Sequence, residues 1–306
     1  MRSAILLGVS FLMLGALAAP PDDEGFLGRW DLTVSAEDRS YPSWLEVTRE
    51  AGTLKARFVG RGGSVFPVPD VAIESGELKF QISRGKTQVV YKARLKDGRL
   101  DGTLAEGERP ARSWSGVRAP AWPKAAPRRK QGKPVALFNG KDLSGWVAQQ
   151  PNRPLGWTVK DGALSNEAKA NNIYSEQKFF DFKLEVEFNV AAKSNSGIYL
   201  RGRYEIQVLD DFGKPPESHQ NGALYGFLTP RVNASKQAGE WQTVEATIVA
   251  NRVTIILNGT KIIDGEEIPG ITGGALDSNE AEPGAIMLQG DHGPVQYRKV
   301  LVTPLN

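Results

Sequence analysis

Glu205 and Gln207 stand two residues apart in Tyr204-Glu205-Ile206-Gln207-Val208-Leu209-Asp210, where apolar and polar residues alternate. Residues two apart on an extended strand share a face. The pair therefore points one way and Tyr204, Ile206 and Val208 the other. Arg201 joins that face if the strand runs on regularly through Gly202. A guanidinium beside a carboxylate keeps it ionised, because a neighbouring opposite charge lowers its pKa. The plain alternative is a solvated strand face with a surface ion pair. An ordinary glycosidase needs two carboxylates, ~5–5.5 Å apart for retention or ~6.5–9.5 Å apart for inversion. Two and four positions beyond Glu205 stand Gln207 and Leu209, and Asp210 has the opposite parity. A two-carboxylate mechanism then requires a second acid from another strand.

Three more polar clusters sit among glycines. His219-Gln220-Asn221-Gly222-Ala223-Leu224-Tyr225-Gly226 offers an imidazole and a phenol. Asn233-Ala234-Ser235-Lys236 offers an ammonium ahead of Gly239-Glu240-Trp241. Gln289-Gly290-Asp291-His292-Gly293 places an imidazole in a tight turn. Glycine-rich turns at sheet ends are where binding loops gather, although a lone loop histidine is usually only solvated. His219 and His292 are the only histidines, so one chain cannot build an all-histidine metal site. Asp210, Asp211 and Asp291 are the acids open to a divalent metal such as calcium. Cysteine is absent, which excludes disulfides, thiol nucleophiles and Cys–zinc sites. The net charge of +3 from 38 basic and 35 acidic residues points away from a nucleic-acid partner.

The elements that must carry these groups are strands. Phe182, Leu184, Val186, Phe188 and Val190 alternate with Lys183, Glu185, Glu187 and Asn189. That period of two predicts a half-buried strand. Val253, Ile255 and Leu257 lead into Asn258-Gly259, a two-residue hairpin signal, and then Lys261–Ile263. Ile286 and Leu288 mark another strand, and Val295–Val302 the last. No helical period of useful length is present, so residues 135–306 predict a two-sheet antiparallel sandwich of jelly-roll type. Residues 26–118 predict a separate small antiparallel barrel or sandwich. It has eight strands: Arg29–Val34, Trp44–Thr48, Thr53–Val59, Val71–Ile73, Glu77–Ile82, Gln88–Leu95, Arg99–Leu104 and Arg112–Val117. Arg61-Gly62-Gly63 reads there as a turn, since no helix follows it, and this first unit reads as accessory.

The 306 residues suit two domains. Between them, residues 119–134 hold four prolines and five basic residues without an acid, the mark of a semi-extended tether. Residues 1–19 read as a signal peptide, with Arg2, an apolar run from Ile5 to Leu17, and Ala16-Leu17-Ala18 as a cleavage site. The run is shorter than the ~20 residues that span a bilayer. Without a lipobox cysteine, the expectation is a periplasmic or secreted chain with no stable membrane insertion after cleavage.

Residues 135–306 resemble the 3-keto-disaccharide hydrolase family, long catalogued as a domain of unknown function. The likeness is carried by Leu137-Phe138-Asn139-Gly140-Lys141-Asp142-Leu143-Ser144-Gly145-Trp146, by Asn195-Ser196-Gly197-Ile198-Tyr199-Leu200-Arg201-Gly202 and by Tyr204 to Asp210. Gly222-Ala223-Leu224-Tyr225-Gly226, Gly239-Glu240-Trp241 and Leu288-Gln289-Gly290-Asp291-His292-Gly293 follow in the same order. Lys299 departs from the Asn that the family often has there. The resemblance implies a concanavalin A-like lectin/glucanase fold and a small carbohydrate substrate, a glycoside oxidised to a ketone at C3. One base then suffices, because the ketone acidifies the C2 proton and the C1 substituent leaves by elimination, to be followed by water addition. The resemblance makes Glu205 or His292 that base, and Arg201, Lys236 or a bound divalent metal the holder of the oxyanion. Gln207, Tyr225 and Gln289 become ligands of sugar hydroxyls. The other readings are a non-catalytic carbohydrate-binding sandwich and an ordinary glycoside hydrolase.

Overall fold

The computed structural model describes residues 23–37, 39–125 and 127–306. The leader expected over residues 1–19 lies outside the described residues. Among the described residues the fold is β throughout, apart from a single 3-10 turn at Asp23–Phe26.

The first sheet has nine strands: β1 (Gly28–Val34), β2 (Tyr41–Glu50), β3 (Thr53–Val59), β4 (Phe66–Val68), β5 (Asp70–Glu74), β6 (Glu77–Arg84), β7 (Thr87–Lys96), β8 (Arg99–Glu106) and β9 (Arg112–Arg118). Their order is β4-β3-β2-β1-β9-β8-β7-β6-β5, an antiparallel meander with its two ends joined through β1 and β9. The edge strands β4 and β5 are consecutive in the chain and approach β6 and β3 respectively, so the sheet curls into a nearly closed barrel. Eight of the strands follow the alternation and glycine turns. The ninth, β4, escapes that pattern because it is three residues long and holds Pro67. Proline lacks an N–H, which an edge position tolerates. Trp30, Leu32, Phe58, Phe80, Tyr91 and Trp114 fill the interior.

The second part supplies β10 (Val135–Ala136), β11 (Trp146–Ala148), β12 (Trp157–Lys160), β13 (Ala163–Asn166), β14 (Ile173–Phe179), β15 (Phe182–Val190), β16 (Asn195–Leu200), β17 (Tyr204–Leu209), β18 (Trp241–Val249), β19 (Arg252–Leu257), β20 (Thr260–Glu267), β21 (Gly284–Leu288) and β22 (Val295–Pro304). One sheet runs β12-β13-β22-β15-β18-β19-β20, with β10 on β22. The other runs β11-β14-β21-β16-β17. Phe182, Leu184, Val186, Phe188 and Val190 of β15 meet Ile198, Ile206, Val208, Ile286 and Leu288 of the facing sheet in one apolar core. This is the antiparallel sandwich that the alternation predicts.

The two parts share that core. Trp44 of β2 and Val59 of β3 belong to the sandwich cluster, and Trp44 packs edge-on to Phe227 at 5.6 Å. Arg29 adds a salt bridge to Glu267 at 2.9 Å. The joining segment also runs against the sandwich. Lys130 N donates to the Asn306 carbonyl and Asn306 N to the Lys130 carbonyl, at 2.7 and 2.8 Å. Backbone pairing with the end of β22, and an Arg129–Asp181 ion pair at 2.6 Å, hold residues that composition alone reads as a solvated tether.

Candidate active site

β17 is the strand on which the two faces differ most from expectation. Ile206 and Val208 enter the core as predicted, but Glu205 and Gln207 on the polar face are also buried, at 5% and 3% exposure. A polar strand face closed from solvent needs its own cover, and here loops and the barrel provide it. The result is a cavity of about 200 Å³ lined by Glu205, Gln207, Tyr225, Gln289 and His292, together with Tyr199, Asn195, Asn172, Asp291 and the backbone of residues 62–63 and 273–274.

Pairing of β16 with β17 sets Tyr199 opposite Glu205 and Gly197 opposite Gln207. The Tyr199 hydroxyl lies 2.9 Å from Glu205 Oε2 and 2.9 Å from the Gly273 carbonyl, two acceptors for one proton. Gln289 Nε2 donates to the same hydroxyl at 3.4 Å. Gly197 leaves the space that the carboxyl occupies, since a Cβ there would stand 2.3 Å from Glu205 Oε1. Two further carboxamide oxygens, Asn195 Oδ1 and Gln289 Oε1, are buried without a hydrogen-bond partner. Buried acceptors of this kind carry a desolvation cost that a ligand hydroxyl would relieve.

Burial lifts Glu205 to about 8, against the opposing pull of the Tyr199 hydrogen bond and the nearby His292 charge. Burial likewise raises Tyr199 far above its ordinary value, so it is a neutral hydroxyl throughout the working range. His292 is half-exposed, and its Nδ1 lies 2.8 Å from Asp291 Oδ1. That hydrogen bond raises the imidazole above its usual value. For Asp291, burial acts upward but is outweighed by the His292 hydrogen bond and charge, which leave it below the ordinary carboxylate range. The cavity therefore pairs a carboxyl that ionises late with an imidazolium that persists.

Five of the seven residues singled out in the sequence meet here: Glu205, His292, Gln207, Tyr225 and Gln289. Arg201 and Lys236 do not. β16 ends at Leu200, and Arg201 and Gly202 form the turn with φ of 53° and 67°. The alternation that would carry Arg201 onto the Glu205 face stops one residue short of it. Its guanidinium instead lies fully buried on the Phe180 carbonyl and the Asp181 carboxylate, at 2.6 and 3.1 Å. Lys236 Nζ is exposed and bonds the Trp241 carbonyl at 3.0 Å, outside the cavity.

Several lining residues carry no role in the sequence reading. Tyr199 belongs to a motif noticed there, and recognising the tight turn at Arg201-Gly202 would have set it against Glu205. Arg61-Gly62-Gly63, read as a turn, forms part of the wall through contacts between distant parts of the chain. Among the described residues no group of three or more His, Asp and Glu is placed to hold a metal ion.

Residues 133–303 match the family model described as a 3-keto-alpha-glucoside-1,2-lyase-like domain. A 3-keto-disaccharide hydrolase of Bacteroides thetaiotaomicron is 24% identical over 158 residues, 40% of this chain and 54% of the relative. The match thus spans about half of that relative's length. A crystal structure from Parabacteroides distasonis, named as a candidate glycosyl hydrolase, is 27% identical with a TM-score of 0.49 and covers 61% of this chain and 94% of its own. A second from the same organism is 20% identical with a TM-score of 0.47, covering 56% and 94%.

Proposed function

The chain belongs to the 3-keto-alpha-glucoside-1,2-lyase-like domain family over residues 133–303, and from that premise we propose that it cleaves glycosides whose sugar carries a ketone at C3. In this reading it is an exported hydrolase acting on 3-keto-disaccharides. The relative named as a 3-keto-disaccharide hydrolase supports the substrate class. One observation carries the mechanism: among the described residues Glu205 is the single buried carboxyl lining the cavity, and the only other lining acid, Asp291, is bound to His292. That suits one-base elimination better than hydrolysis by two carboxylates.

Glu205, as carboxylate, takes the proton from C2. The C2–H electrons move into the C3 carbonyl to give an enolate, and the imidazolium of His292 donates to the oxygen that becomes negative. Collapse of the enolate breaks the C1–O bond and forms a C1=C2 double bond. The leaving oxygen receives the proton held by Glu205. Water then adds across the double bond, hydroxyl to C1 and hydrogen to C2, so the net change is hydrolysis. A base lifted to about 8 is better matched to a carbon acid than an ordinary carboxylate. Tyr199 steers this proton. It donates to Glu205 when the carboxylate is charged, and it can accept from the protonated acid while donating to the Gly273 carbonyl. The unpartnered oxygens of Asn195 and Gln289 accept from sugar hydroxyls, beside Gln207 and Tyr225.

The test mixes the purified chain with a 3-keto-glycoside and with its unoxidised parent, both followed by NMR. Release of the 3-keto-sugar from the oxidised compound alone is the expected result. Cleavage of the unoxidised parent would overturn the elimination mechanism. Line broadening without release from either would make the chain a carbohydrate-binding protein.

A further inference from the structure

We propose that the barrel, which lies outside the family match, builds one wall of a second subsite that receives the leaving-group sugar. The inference rests on the reading above, in which the inner cavity holds the oxidised ring. That cavity, at about 200 Å³, is smaller than the ~300–1,000 Å³ of usual ligand sites. It does not end there. A groove of about 450 Å³ adjoins it, and Arg61, Asn172, Gly274 and Asp291 line both. Arg39, Tyr41 and Arg61 of the barrel form one side of the groove. Gln150, Tyr174 and Lys178 of the sandwich form the other.

The barrel side is docked by its backbone. Gly274 N donates to the Arg61 carbonyl at 3.1 Å, and a Cβ on Gly273 would stand 2.2 Å from the Gly63 carbonyl oxygen. Only glycine permits that approach, so the loop sits against the rim of the Glu205 chamber. Arg61 also lies over the Tyr41 ring at 5.5 Å, which orients its planar donor group. On the sandwich side, Tyr174 and Lys178 stand four residues apart on β14, on the face opposite the buried Ile173, Ser175 and Phe179, and both line the groove. Guanidinium, ammonium and carboxamide groups around a tyrosine are donors and acceptors suited to vicinal hydroxyls. A small alkyl leaving group would not reach them. The substrate these groups select is a disaccharide, with its second sugar between barrel and sandwich.

The test compares kcat/KM of the full chain for a 3-keto-disaccharide and for a methyl 3-keto-glucoside. The wild type favours the disaccharide. Arg61→Ala and Lys178→Ala are each expected to cost about tenfold more on the disaccharide than on the methyl compound, the worth of one or two lost hydrogen bonds. Lys178 is exposed on the sandwich, so its variant keeps the test open if Arg61→Ala disturbs the barrel. Equal losses on both substrates, or none, would overturn the proposal. If the wild type cleaves neither compound, the chemical reading fails and the subsite is judged by calorimetric titration with the unoxidised disaccharide and methyl glucoside. Tighter binding of the disaccharide that both variants weaken would uphold the subsite. Equal binding, or none, would overturn it.

Discussion

The Tyr199 hydroxyl sits 2.9 Å from Glu205 Oε2, directly across the β16–β17 pair. The contact holds down a pKa that burial pushes up. Removing it has a definite sign. Tyr199→Phe takes away the hydrogen bond that favours the charged carboxylate, so Glu205 titrates still later. The rising limb of kcat/KM against pH, expected near 8 in the wild type, moves up by about one unit. An unmoved limb in the variant would separate Tyr199 from the proton chemistry.

Glu205→Gln keeps the shape and removes the base. Loss of a positioned general base costs on the order of 10² to 10⁴ in rate, and the same loss is expected here in kcat. KM should change little, because the amide can still meet a sugar hydroxyl. His292→Ala is expected to lower kcat less. It should also erase the falling limb above the ordinary histidine range, since His292 holds its proton longer than usual. Full turnover by both variants on a 3-keto-glycoside would remove the assigned roles.

Gly197 tests placement apart from chemistry. A methyl at this position would stand 2.3 Å from Glu205 Oε1, so Gly197→Ala must move the carboxyl. Misplacement of a reacting group by about 1 Å can cost about 10²-fold. That loss in kcat is expected with the base still present. Gly197 is backbone-paired within the sheet, so the fold should persist, which far-UV circular dichroism would check. Wild-type kcat in this variant would contradict the geometry.

Strands with one dry face were legible in the sequence. β15 alternates along its whole length because its core face meets the second sheet and its other face meets water. The same rule located Glu205 and Gln207 but not their burial, since cover from another part of the chain leaves no local trace. Arg201 shows the limit of period-two reasoning. Nothing in the alternation announces where a strand yields to a turn, and one positive φ redirected the side chain to Asp181. Arg61 was hidden for a different reason. Its part in the site depends on close approach of Gly63 to Gly273, a contact between a barrel loop and a sandwich loop far apart in the chain. The family likeness, confined to 133–303, has no bearing on the barrel.

Asp31 of β1 and Glu280 of the sandwich meet across the barrel–sandwich junction, at 3% and 2% exposure. Burial raises both, and the Glu280 carboxylate pushes Asp31 up further, whereas hydrogen bonds from Tyr204 and from the protonated Asp31 hold Glu280 back, with Arg29 and Arg203 as partial compensation for each. The folded chain thus keeps protons that the unfolded chain releases above about pH 4. Stability must fall as pH climbs from there through the raised values. Each unit of elevation corresponds to about 1.4 kcal/mol lost once the pair is forced to ionise. Asp31→Asn removes one of the two charges, so its denaturation midpoint should decline less than that of the wild type between pH 6 and 9. Glu205 adds a slope of the same sign up to about 8, so the comparison is best made in the Glu205→Gln background. Parallel profiles for the two chains would show that the junction holds its carboxyls without sharing a proton, and that the barrel is not released from the sandwich by alkali.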